Sequence, residues 1–176
     1  MTTRYIFLAA VLLAVLAAGA YVWLGGFRQP TVALETTTAP VLLAGQAYAG
    51  AAQGEDFGPL FRRAKQVLDG GRIPGIALAN IYYNNPETAH DTVRAFIGLV
   101  VADTAQPLPA GLRYRLVPTG QRVVAARLRG VSYLLSPNKL YPAALDLVKQ
   151  QKLAPRDFYL ERFGPGDTAE VWVGVK

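Results

Sequence analysis

The sequence predicts an α+β domain of duplicated strand–helix–strand–strand units with pseudo-two-fold symmetry, preceded by one transmembrane helix. Three observations point there. The segment 41–83 repeats in element order and apolar phase eighty residues later, at 121–163. Each copy passes from strand-like alternation to helical periodicity and back. An uncharged apolar run precedes both. In the gapless register of the repeat, Gly50 falls on Gly130, Leu60 on Leu140, Phe61 on Tyr141, Ala64 on Ala144 and Tyr83 on Phe163. A duplicated unit implies a cleft between related halves. In that register Ile81 of the first copy corresponds to Glu161 of the second.

The apolar run covers residues 5–24, long enough to cross a hydrocarbon core as a helix. Tyr21 and Trp23 lie near its end, where aromatic side chains favour the membrane–water interface. Ala18-Gly19-Ala20 has the form of a signal-peptidase site, but the run continues beyond it, which favours a retained anchor. The expected organisation is a flank at 1–4, an anchor at 5–24, a tether at 25–30 and one domain at 31–176. The expected localisation is therefore single-pass membrane. Arg4 with the amino terminus faces Arg28 across the span, a slight bias that favours the N-terminus in the cytoplasm without fixing the side of the domain.

Within the domain, residues 32–49 read as extended chain interrupted at Pro40. Residues 57–69 form a helix: Leu60, Ala64, Val67 and Leu68 share one face, and Gly70-Gly71 ends it. Strands follow at 76–83 and 95–102, with Asn84-Asn85-Pro86 as turn chemistry. The second half begins with strands at 112–117 and 122–128 around Thr119-Gly120. Ser136-Pro137 reads as an N-cap and first helical residue, with Pro142 as a kink or a later start. Strands at 157–163 and 169–175 close the chain around Gly164-Pro165-Gly166.

Composition narrows the chemistry. The 176 residues contain no cysteine, which excludes disulfides, thiolate catalysis and cysteine-ligated metals. The net charge of +6 is spread among acids rather than gathered in a run, so nucleic acid is not an expected partner. Ser132 and Ser136 are the only serines and His90 the only histidine, so no Ser–His triad is expected. His90 stands without a second ligand nearby, and neither metal nor cofactor is expected.

One strand carries the candidate site. Alternation places Tyr159, Glu161 and Phe163 on one face, with Phe158 and Leu160 on the other, expected to pack against the helix. Ala79, Ile81 and Tyr83 are expected on the corresponding face of the first copy, with Trp172 reaching the same surface. Aromatic rings around one carboxylate suit a flat, apolar, cationic ligand. The candidate ligand-binding residues are Glu161, Tyr159, Phe163, Tyr83, Trp172, Tyr48 and Tyr133. No catalytic residue is assigned.

Four segments together resemble the GyrI-like, or effector-binding, small-molecule domain. They are Ile81-Tyr82-Tyr83-Asn84-Asn85-Pro86, Val93-Arg94-Ala95-Phe96-Ile97-Gly98-Leu99-Val100, Val117-Pro118-Thr119-Gly120 and Phe158-Tyr159-Leu160-Glu161-Arg162-Phe163. Where that family has H-x-G before the second helix this sequence has Leu128-Arg129-Gly130, and Phe163 stands at a usual tyrosine. The resemblance implies a duplicated strand–helix–strand–strand fold that binds lipophilic, often cationic molecules, with Glu161 as the key acceptor. Two other readings stay open: a membrane-tethered adaptor for a protein partner, and a hydrolase using the same glutamate as base.

Overall fold

A computed structural model of the chain describes residues 2–51, 54–71, 73–86, 88, 92–133 and 135–176. Helix α1 (Thr2–Trp23) comes first, followed by β1 (Thr31–Thr36), β2 (Val41–Gly50), α2 (Phe57–Asp69), β3 (Gly75–Tyr82) and β4 (Val93–Val101). The second half holds β5 (Arg113–Val117), β6 (Arg122–Arg129), α3 (Pro137–Gln150), β7 (Pro155–Gly164) and β8 (Thr168–Val175). The strands form one eight-stranded antiparallel sheet in the order β1-β6-β8-β7-β3-β4-β2-β5. The halves meet at β3 and β7. Each half is a strand–helix–strand–strand unit, β2-α2-β3-β4 and β6-α3-β7-β8.

The two remaining strands are exchanged. β1 leads into the first unit but pairs with β6 of the second, and β5 leads into the second but pairs with β2 of the first. Pro40 thus separates two strands on opposite sides of the sheet rather than interrupting one. The crossing turns bind each other. Thr37 donates its amide to the Gln121 carbonyl at 2.9 Å, and its Oγ1 accepts the Gln121 amide at 2.9 Å. Its carbonyl accepts the Gly120 amide at 2.8 Å and the Thr119 hydroxyl at 3.0 Å.

Both helices lie on one face. α2 packs on β4, β3 and β2, and α3 on β6, β8 and β1, so the seam between the helices falls over β3 and β7. The helix-facing row includes Ala95, Ile97, Val124, Ala126, Val171 and Val173 with Leu140 and Ala144. The other face is apolar as well. Val117 and Val123, from strands near opposite edges of the sheet, share a buried cluster with Ile81, Phe96 and Leu160. The sheet therefore curls away from the helices around this cluster. Burial of both faces removes the polar alternation that normally marks the solvent side of a sheet.

That second core corrects the face assignment. Residues directly opposite in an antiparallel pair share a face. Asn80 lies opposite Glu161, Tyr82 opposite Tyr159, and Ile81 opposite Leu160. Tyr159 and Glu161 face the helices, whereas Phe158 and Leu160 face the curled interior. Ile81 is on the Leu160 side, so the counterpart of Glu161 on its own face is Asn80, one residue out of the gapless register. The helices do keep that register, Ala64 and Ala144 both being buried against the sheet. The strands lose it because pairing is irregular between Gly75 and Ala77 in β3 and between Pro155 and Tyr159 in β7. A bulge of one residue reverses every subsequent side chain.

The start of α3 also differs in detail. Pro137 is its first residue, but the Ser136 hydroxyl donates backwards to the Val131 and Ser132 carbonyls at 3.2 and 3.0 Å rather than capping forwards. The helix runs through Pro142 to Gln150.

α1 contains a 20-residue stretch, Arg4–Trp23, of mean hydropathy 2.4, long and apolar enough to cross a membrane. Its large apolar side chains are exposed, Trp23 at 85%. The segment that follows it packs against the domain. The Ser132 amide donates to the Leu24 carbonyl at 3.2 Å, Arg28 Nη1 to the Arg129 carbonyl at 3.0 Å, and Lys139 Nζ to the Arg28 carbonyl at 3.1 Å. Gly25 takes φ +78° here, and a Cβ on it would lie 2.4 Å from the Gly130 carbonyl oxygen.

Candidate functional site

Between the helices, at the junction of the halves, lies a buried polar cluster. Glu161 is 7% exposed at the centre of β7. Tyr141 of α3 donates its hydroxyl to Glu161 Oε1 at 2.8 Å. Asn80 Nδ2 donates to Oε2 at 3.1 Å, and the Tyr82 hydroxyl reaches the same oxygen at 3.4 Å. One carboxylate thus gathers donors from α3 and from the strand across the pseudo-axis. Burial, and after it the charge and hydrogen bond of Glu161, push the Tyr82 phenol well above its ordinary 10.0. Burial, and then Asp157, raise Tyr159. Both phenols remain protonated across the neutral range.

Aromatic residues wall this polar cluster from both sides. On the α3 side the Tyr141 and Tyr159 rings lie 6.3 Å apart. On the α2 side Phe57 stands between Tyr48, at 4.9 Å, and Phe61, at 5.0 Å. Phe57, Phe61 and Phe163 are half-buried and pack against the cluster that holds Tyr82, Tyr141 and Tyr159. The surroundings suit a flat, apolar, positively charged body: ring faces attract cations, and a carboxylate withdrawn from water is a strong partner for one.

The seven sequence-derived candidates separate by face. Glu161, Tyr159, Phe163 and Tyr48 lie on the helix side. Trp172 does not: it is buried opposite Ala125 and Leu160 in the curled interior, with its indole N–H donating to Glu170 at 2.7 Å and Arg162 stacked on it at 4.5 Å. Tyr83 lies on that same far face beneath Arg115, 5.4 Å from the ring centre. Tyr83 was misplaced by the register difference of β3, and Trp172 because it pairs opposite Leu160 rather than Glu161. Tyr133 stands exposed near the segment that follows α1. His90 lies outside the described residues. Asn80, Tyr82 and Tyr141 bind the carboxylate but were not among the candidates. Tyr141 could have been found, since it falls on Phe61 of the apolar helix face in the repeat. Among the described residues no cluster of three His, Asp or Glu side chains could hold a metal.

The duplicated α+β architecture is GyrI-like in fold, and solved structures share it. An integron cassette protein from the mobile metagenome of Vibrio cholerae superposes with a TM-score of 0.60 at 12% identity, over 85% of this chain and 97% of the other. SAV2435 bound to tetraphenylphosphonium gives 0.57 at 12% identity, over 85% and 94%. The C-terminal domain of EcmrR gives 0.56 at 12% identity, over 85% and 99%. No protein-family model matches the sequence, and none of the curated proteins does.

Proposed function

We propose that the chain is a membrane-tethered small-molecule-binding domain whose ligand is an amphipathic organic cation held between α2 and α3. The observation that carries this reading is the buried Glu161 carboxylate, set at the junction of the halves among hydroxyl and amide donors and walled by aromatic rings. The fold neighbour bound to tetraphenylphosphonium supports the same ligand class. Tyr141 and Tyr82 occupy the space next to the carboxylate, so a ligand enters by displacing one of these phenols and taking over its contact with Glu161. The α1 helix supplies the anchor, and the docked Gly25 tether holds the domain close to the bilayer surface.

The test is calorimetric titration of the full chain in detergent with tetraphenylphosphonium. Saturable binding is expected, weakened in Glu161→Gln by about 1–3 kcal/mol, the worth of a charge-assisted contact in a desolvated site. Equal affinity of the two proteins, or no saturable binding, would remove the reading.

A further inference from the structure

The far face of the sheet holds a pocket, on the side opposite Glu161. A cavity of about 270 Å³ is lined by Ala47, Tyr83, Arg94, Phe96, Arg113 and Arg115. The guanidinium of Arg113 lies 6.0 Å from the Phe96 ring centre, and that of Arg115 lies 5.4 Å from the Tyr83 ring centre. Among the described residues none of the three arginine side chains has an acidic partner.

The duplication shows what this arrangement lacks. With Asn80 matched to Glu161, the strand registers carry Phe96 onto Glu170, Ala47 onto Arg127 and Arg115 onto Glu35. The second half uses these positions for a closed ion network: Arg127 binds Glu35 and Glu170, and Glu170 also binds Arg162. Its two positive charges meet two negative ones. In the first half both acids are gone, one replaced by an arginine and the other by a phenylalanine, and Arg94 and Arg113 add further positive charge. A neutral, self-satisfied patch in one copy is a concave tricationic patch with aromatic walls in the other.

We infer that this pocket binds a small organic anion carried on a flat ring, of the aryl phosphate or aryl carboxylate class. The arginines supply planar, always-charged forks for the anionic group, and Tyr83 and Phe96 supply the surface for the ring. An anion there replaces, from outside, the carboxylates that the other half provides from its own chain. The site lies on the opposite face of the sheet from Glu161 and does not depend on cation binding.

Phenyl phosphate is the probe, titrated into the full chain in detergent at low and at physiological salt. Saturable binding is expected, weakening with salt and weaker by tenfold or more in Arg115→Glu, which restores the acid of the other half. Arg113→Gln serves as a second, charge-removing variant, with circular dichroism reporting the fold of each. Phenol, lacking the charge, is expected not to saturate, and inorganic phosphate to bind more weakly than phenyl phosphate. Absence of saturable binding, or unchanged affinity in folded Arg115→Glu and Arg113→Gln, would overturn the site. Equal affinity for inorganic phosphate would overturn the assignment of a ring-bearing ligand.

Discussion

Tyr82 brings its hydroxyl to within 3.4 Å of a buried carboxylate, and this contact has a consequence for stability. Its phenol holds its proton to a higher pH in the folded chain than in the unfolded one, as does that of Tyr159. Below the ordinary value of 10.0 both states are protonated and the contribution is complete. As pH rises past that value the unfolded chain releases these protons first, so it binds fewer than the native state and stability falls. The domain is therefore expected to lose stability above pH 10.0, with a slope of up to about 1.4 kcal/mol per pH unit for each fully buried phenol. Denaturant titrations at rising pH measure the slope, and Tyr82→Phe should reduce it; an unchanged slope would contradict the assignment. The acid itself was legible in the sequence as the carboxylate between the aromatic residues of one strand. Its partners were not, because Asn80 and Tyr82 read as belonging to the wrong face of β3.

The elements show where such readings hold. Both helices emerge from apolar periodicity and end near where glycine, proline and polar residues mark them, since a helix with one buried stripe records its orientation in the sequence. β3 and β7 record theirs poorly. Each is buried on two faces, and the irregularities near their starts, one extra residue in β3 and two in β7, leave the strands one residue out of step with the repeat. The exchange of β1 and β5 left no sequence signal beyond Pro40 and the Thr119-Gly120 turn. It is held by Thr37, whose hydroxyl oxygen accepts the Gln121 amide. Thr37→Val keeps the side-chain shape and leaves that amide without its partner, so a loss of about 1–3 kcal/mol is expected in chemical denaturation. No loss would show the crossing turns to be incidental. At the other end, Gly25→Ala places a methyl against the Gly130 carbonyl oxygen in a backbone conformation that disfavours it. The Ser132 amide should then lose hydrogen-exchange protection as the Leu24 contact opens, while the melting temperature of the domain stays nearly constant. Retained protection of Ser132 would contradict a docked tether.

At the scale of the whole molecule, duplication builds one sheet with two unlike faces. Under the helices the halves meet at a polar pair, Asn80 and Glu161, with the aromatic residues of α2 and α3 on either side. On the curled face the same halves carry unlike electrostatics, ion-paired in one and cationic in the other. Tyr83 and Trp172, assigned from sequence to the surface of Glu161, belong to the curled face. The account of the cation site therefore stands on which rings a bound cation touches. Intermolecular nuclear Overhauser effects between the phenyl protons of tetraphenylphosphonium and the protein in detergent micelles report this directly. Contacts to the rings of Tyr141, Tyr159 and Phe61 are expected. Contacts to Tyr83 or Trp172 in their place would put the ligand on the far face and contradict the role given to Glu161.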